Sequence, residues 1–94
     1  MSGVLHELDG TAITSKEAFF DAVAAALSFP DWFGRNLDAL YDCLRDLSWL
    51  PAGEQELVWT ASEVLREADP RAYTRIVDVL RDAAEPGRLS VLIR

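Results

Sequence analysis

This 94-residue chain has one cysteine, one histidine and one methionine, and Lys16 is its only lysine. A lone Cys43 excludes an internal disulfide and the thiolate cluster of a structural zinc site, and suits a reducing compartment. His6 falls in a strand candidate as an ordinary strand residue, and Cys43 falls on the apolar side of a helix as a buried structural thiol, so no nucleophile and base stand together. A glycine-rich phosphate loop is missing, because Gly34 stands alone before Arg35. No apolar run approaches the 18 or more residues of a membrane span, and the opening MSGVLHELDG has neither a basic segment nor a long apolar one. A cytoplasmic protein with no membrane association is expected. Cations are also scarce: 9 Lys and Arg stand against 16 Asp and Glu, a net charge of −7. That leaves no basic footprint for nucleic acid and favours a basic partner.

Apolar residues make up 50% of the chain and aromatics 10%, enough for the core of one domain over residues 1–94. VLHEL reads as a strand, and Asp9-Gly10 as a turn that lets TAI continue past a bend or return as a hairpin. Thr14-Ser15-Lys16-Glu17 fits a capping box with Thr14 as the cap, opening a helix whose stripe is Phe19, Phe20, Val23, Ala26 and Leu27. Pro30 ends it. Gly34 breaks the chain, Asn36 caps a second helix from Leu37 to about Leu47, and Leu37, Leu40, Cys43, Leu44 and Leu47 form its apolar side. SWLPAGEQ is a loop and ELVWTA a buried strand. Ser62 caps a short helix, EVLREA, and Asp69-Pro70 starts a last helix on Tyr73, Ile76, Val77, Leu80, Ala83 and Ala84, stopped by Pro86-Gly87. LSVLI closes the order. Strands joined by helical crossovers predict an α/β fold: a three-stranded parallel β-sheet with helices packed against it.

The chemistry concentrates in WFGRNLDALYDCLRD, Trp32 to Asp46. Asp38, Asp42 and Asp46 stand at i, i+4 and i+8, a spacing that opposes like charges instead of pairing them. An enzyme that uses paired carboxylates needs environments that separate their pKa values, and an evenly wet strip does not supply them. Calcium asks for six to eight oxygens from a folded loop, so a straight strip leaves only weak divalent-ion association, with no resident cofactor or metal. A solvated face is the bland alternative. Against it stand the flanking aromatics Trp32, Phe33 and Tyr41, and the position of Asp46 near the helix C-terminus, where the macrodipole disfavours an anion. Phe33 reads as core, Trp49 and Trp59 as loop and core packing, and Trp32 and Tyr41 as open between core and surface. Spacing and composition thus reach an acidic module for a basic partner.

FPDWFGRNLDALYDCL, Phe29 to Leu44, resembles the central signature of the barstar family, and the remaining elements follow in that family's order. The resemblance implies an intracellular inhibitor, not an enzyme, whose partner is a secreted microbial ribonuclease of the barnase-like class. It implies that Asp42 enters the enzyme's active-site cleft in place of a substrate phosphate and that Asp38 pairs with a basic side chain. Trp32 would stack on the catalytic histidine, with Gly34, Asn36, Leu37 and Tyr41 at the remaining contacts and Val79 and Asp82 in a peripheral one. The chain departs from the pattern at several positions: Trp32 stands where the family has tyrosine and Asp82 where it has glutamate. Arg35 replaces an acid, Asp46-Leu47 replaces a Gly-Trp pair at the edge of the face, and Arg88 stands about where a second cysteine is found.

Overall fold

A computed structural model describes residues 3–94. Strand β1 (Val4–Asp9) is followed by helices α1 (Lys16–Ala26) and α2 (Leu37–Asp46), strand β2 (Gln55–Thr60), helices α3 (Glu63–Ala68) and α4 (Pro70–Ala83), and strand β3 (Leu89–Ile93). The three strands form one parallel sheet in the order β1-β2-β3, with Leu8 opposite Trp59 and Trp59 opposite Ile93. This is the architecture expected from the helical crossovers.

The strands alternate rather than burying both faces. Leu57 and Trp59 of β2 are buried with Leu8 and Leu89, while Leu5, Glu7, Glu56 and Leu92 point to the other side and are exposed. The helices supply the rest of the core through Phe19, Phe20, Val23, Leu40, Leu44, Ile76 and Leu80. Trp59 sits at its centre, 4.9 Å from the Phe19 ring and 5.7 Å from Tyr73, which in turn carries the Arg66 guanidinium at 5.9 Å. Ala72, absent from the expected stripe of α4, is also buried.

Local chemistry differs from expectation at four points. Ser15, not Thr14, caps α1, its hydroxyl accepting from the Ala18 N–H, so the reciprocal box with Glu17 does not form. Only Thr14 has a glutamate three residues on, but either hydroxyl can serve as a simple cap, and the extended backbone at Ser15 makes it the one that does. Ser62 precedes α3 but makes no side-chain cap; it is helical itself, and its hydroxyl donates to the Arg94 carbonyl after β3. Asp9-Gly10 makes neither a bend nor a hairpin but one 3-10 turn over Gly10–Ala12, capped by the Asp9 carboxylate. Gly10 is required there by space, since a Cβ would lie 2.2 Å from the Thr60 carbonyl oxygen. Finally, His6 is a tie rather than a plain strand residue: Nδ1 lies 2.9 Å from the Ala26 carbonyl oxygen at the end of α1, and Nε2 lies 2.7 Å from Gln55 Oε1 on β2.

Arg88, in the turn before β3, closes the far end of the molecule. Its guanidinium donates to the carbonyls of Leu44 and Ala83 and to the Glu85 carboxylate, so one side chain caps the C-terminal ends of both α2 and α4. Helix ends leave carbonyls unpaired and carry partial negative charge, so a cation shared between two of them is well placed. Hydrogen bonds from Arg88, together with the charges of Arg45 and Arg88, hold the Glu85 carboxyl below its ordinary range. Arg88→Ala is expected to lower unfolding free energy by about 2 kcal/mol, because two charge-assisted bonds to helix ends go together. A fall in urea midpoint at unchanged slope measures this, and an unchanged midpoint refutes the clasp.

Candidate functional site

Asn36 starts α2 by accepting the Ala39 N–H at 2.8 Å, and its own amide donates to the Gly34 carbonyl at 3.3 Å. Gly34 lies in the irregular stretch before the helix, and the left-handed residue there is Arg35, with φ 52°. Ser28 and Leu47 are also left-handed, so the segment that enters and leaves α2 turns on non-glycine residues. Such backbone costs of order 1 kcal/mol each and is held by its surroundings. Arg35 shows one anchor: its guanidinium lies 3.0 Å from the Asp21 carboxylate and reaches the Glu17 carbonyl at 3.4 Å, both on α1.

Leu40, Cys43 and Leu44 are buried on one side of α2, and Asp38, Asp42 and Asp46 are exposed on the other, as the periodicity predicts. Leu37 is half-buried and Leu47 is buried at the left-handed cap. Burial pushes the Cys43 thiol up, and the nearby Asp42 and Asp46 charges add to the shift, so it stays protonated and unreactive at neutral pH. Near Asp46 the helix end is shared with Arg88, which lines the same shallow cavity. That cation offsets the unfavourable placement of an anion at a helix C-terminus.

The open readings of Trp32 and Tyr41 resolve toward the surface, with exposures of 66% and 38%. They are the exposed large aromatics among the described residues, and both flank the acidic strip. Trp32 rests edge-on against Trp49 at 6.5 Å, Trp49 against Phe29 at 6.0 Å, and Phe29 against Phe33 at 4.9 Å. Trp49 is locked by its indole N–H donating to the Leu27 carbonyl at 2.9 Å. Its role as the support of Trp32 was not visible in the sequence, since 16 residues and a whole helix separate the two rings. On α4, which packs beside α2, Asp82 is exposed and Val79 half-buried.

Among the described residues no three His, Cys, Asp or Glu side chains come together to hold a metal, and no helix is long and apolar enough to cross a membrane. The carboxylates run along the helix and do not converge. The arrangement offers a preformed acidic and aromatic surface on a rigid helix, without a nucleophile beside a base.

A small parallel α/β fold that displays this surface on its second helix has a counterpart among known families. A family model described as "Barstar (barnase inhibitor)" matches residues 4–91, and the chain belongs to the barstar family. Over 44 residues it is 46% identical to the Bacillus subtilis (strain 168) protein named "Putative ribonuclease inhibitor YrdF", covering 47% of this chain and 48% of that protein. The chain thus spans about half the length of the curated relative it matches.

Proposed function

We propose that this protein inhibits a secreted barnase-like, guanyl-preferring ribonuclease in a one-to-one complex that protects the cytoplasm of the cell producing it. The observation that carries the reading is the pair Asp38 and Asp42, exposed one turn apart on a helix whose opposite side is locked into the core. A ribonuclease must hold an anionic phosphate, so its cleft is positive. Asp42 takes the phosphate's place and offers no bond to cleave; Asp38 pairs with a neighbouring basic group. Trp32, on its aromatic ledge, covers the catalytic histidine of the enzyme. Gly34, Asn36, Leu37 and Tyr41 complete the contact, Val79 and Asp82 extend it along α4, and Arg35 and Asp46 lie at its edges. Inhibition by occupation asks for no catalytic group in the inhibitor, in keeping with the family and with the name of the relative.

Complementary charge sets the association rate and desolvated contacts set the release rate. Titration of a barnase-like enzyme with this protein is expected to abolish RNA cleavage at one equivalent, with an association rate that falls at least tenfold between low and 0.5 M salt. Excess protein that leaves every such enzyme active overturns the proposal.

A further inference from the structure

We propose that a cleft between the first turns of α1, α2 and α4 binds a small multivalent oxyanion, a phosphate ion or phosphate monoester. The cleft has a volume of about 230 Å³ and is lined by Lys16, Leu37, Asp69, Arg71, Ala72 and Arg75. Drug-sized sites run to roughly 300–1,000 Å³, so the space suits a compact ligand.

Its charge is the reverse of the molecule's. Three cations and one carboxylate line the cleft, a net of +2, in a chain of net −7. The carboxylate of Asp69 is engaged, accepting the Ala72 N–H as the cap of α4. Arg35, Arg45 and Arg88 each have a carboxylate within ion-pair distance, whereas Lys16, Arg71 and Arg75 have none among the described residues. These three line one cleft, whereas Arg66, Arg81 and Arg94, which also have no ion pair among the described residues, stand outside its lining.

Each is also poorly placed for its own helix. Lys16 is the first residue of α1, and Arg71 is the second of α4. Helix starts carry partial positive charge and favour anions. Arg71 and Arg75 stand at i and i+4, where like charges repel by about 0.2–0.5 kcal/mol. An anion seated among them reverses all of these terms at once: it pairs the cations, relieves their repulsion, and sits at the helix starts with the favoured sign. Two or more negative charges match the net of the site better than chloride does.

The test is an amide NMR titration of the full chain with inorganic phosphate at constant ionic strength, with sodium chloride as the control. Saturable shifts at Lys16, Leu37 and Arg71 are expected, absent with chloride. Arg71→Gln and Arg75→Gln should each weaken binding about tenfold, while Arg81→Gln, elsewhere on α4, should leave it unchanged. Shifts that never saturate, that chloride reproduces, or that Arg81→Gln weakens equally overturn the site. A nucleoside monophosphate titrated in parallel identifies the source: tighter binding than the free ion assigns an ester, and equal binding assigns phosphate itself. No ribonuclease enters the experiment, so its outcome is independent of the inhibitory reading.

Discussion

Asp42→Ala is expected to weaken ribonuclease binding by about 2–5 kcal/mol, a loss of roughly 30- to 5,000-fold in affinity. The range is that of truncating one member of a desolvated interfacial charge pair, and complexes of the barstar family contributed to it. Most of the cost falls on the enzyme side, where basic groups already stripped of water are left facing a void. Stability should move the other way. Asp42 stands between Asp38 and Asp46 on α2, and removing it deletes two like-charge spacings worth about 0.2–0.5 kcal/mol each. Inhibition titrations and urea midpoints on the same sample measure both effects. A variant that inhibits at full strength rejects the assignment of Asp42. One that inhibits weakly because its urea midpoint has collapsed rejects the claim that α2 bears a functional face distinct from its structural one.

Leu44→Ala reads the other side of the same helix. Leu44 is fully buried, its neighbours in the core including residues from β-strands and helices alike. Truncation leaves a cavity that close-packed surroundings refill only in part, and Leu→Ala changes at such sites cost about 2–5 kcal/mol. For a domain with about 5–15 kcal/mol in total, that is a large share. The expected result is a urea midpoint well below that of the parent, with the folded fraction still inhibiting one equivalent of enzyme. A midpoint within error of the parent would show that the core around α2 collapses onto the gap. Together the two variants separate recognition from folding on residues two positions apart.

Local signals in the sequence were read well where one residue type has one physical use. Asn36 before an apolar period and Asp69 before Pro70 are each the cap that the structure contains. The division of α2 into buried leucines and exposed aspartates follows from a 3.6-residue period alone. Where two neighbours could do the same work, as Thr14 and Ser15 could, backbone geometry chose, and sequence carries no record of that choice. The chain does break at Gly34 before α2, but the left-handed residue in that turn is Arg35, held by Asp21 and Glu17 on a helix 14 or more residues away, and no local signal marks it. Long-range partners were invisible. Arg88 reaches Leu44 across 44 residues, His6 reaches Ala26 and Gln55, and Trp49 lies beneath Trp32 only because the chain folds back on itself. In the candidate site, the strip was legible and its supports were not.

The thiol of Cys43 lies wholly buried beneath the helix that carries Asp38 and Asp42. No other cysteine competes with it for reagent. The protein therefore contains its own clock for the detachment of that helix: an alkylating agent reacts only while α2 is lifted away, and at reagent concentrations that outpace reclosing the trapping rate counts those excursions directly. A tightly bound partner, by clamping the helix from outside, slows the clock without touching the sulfur.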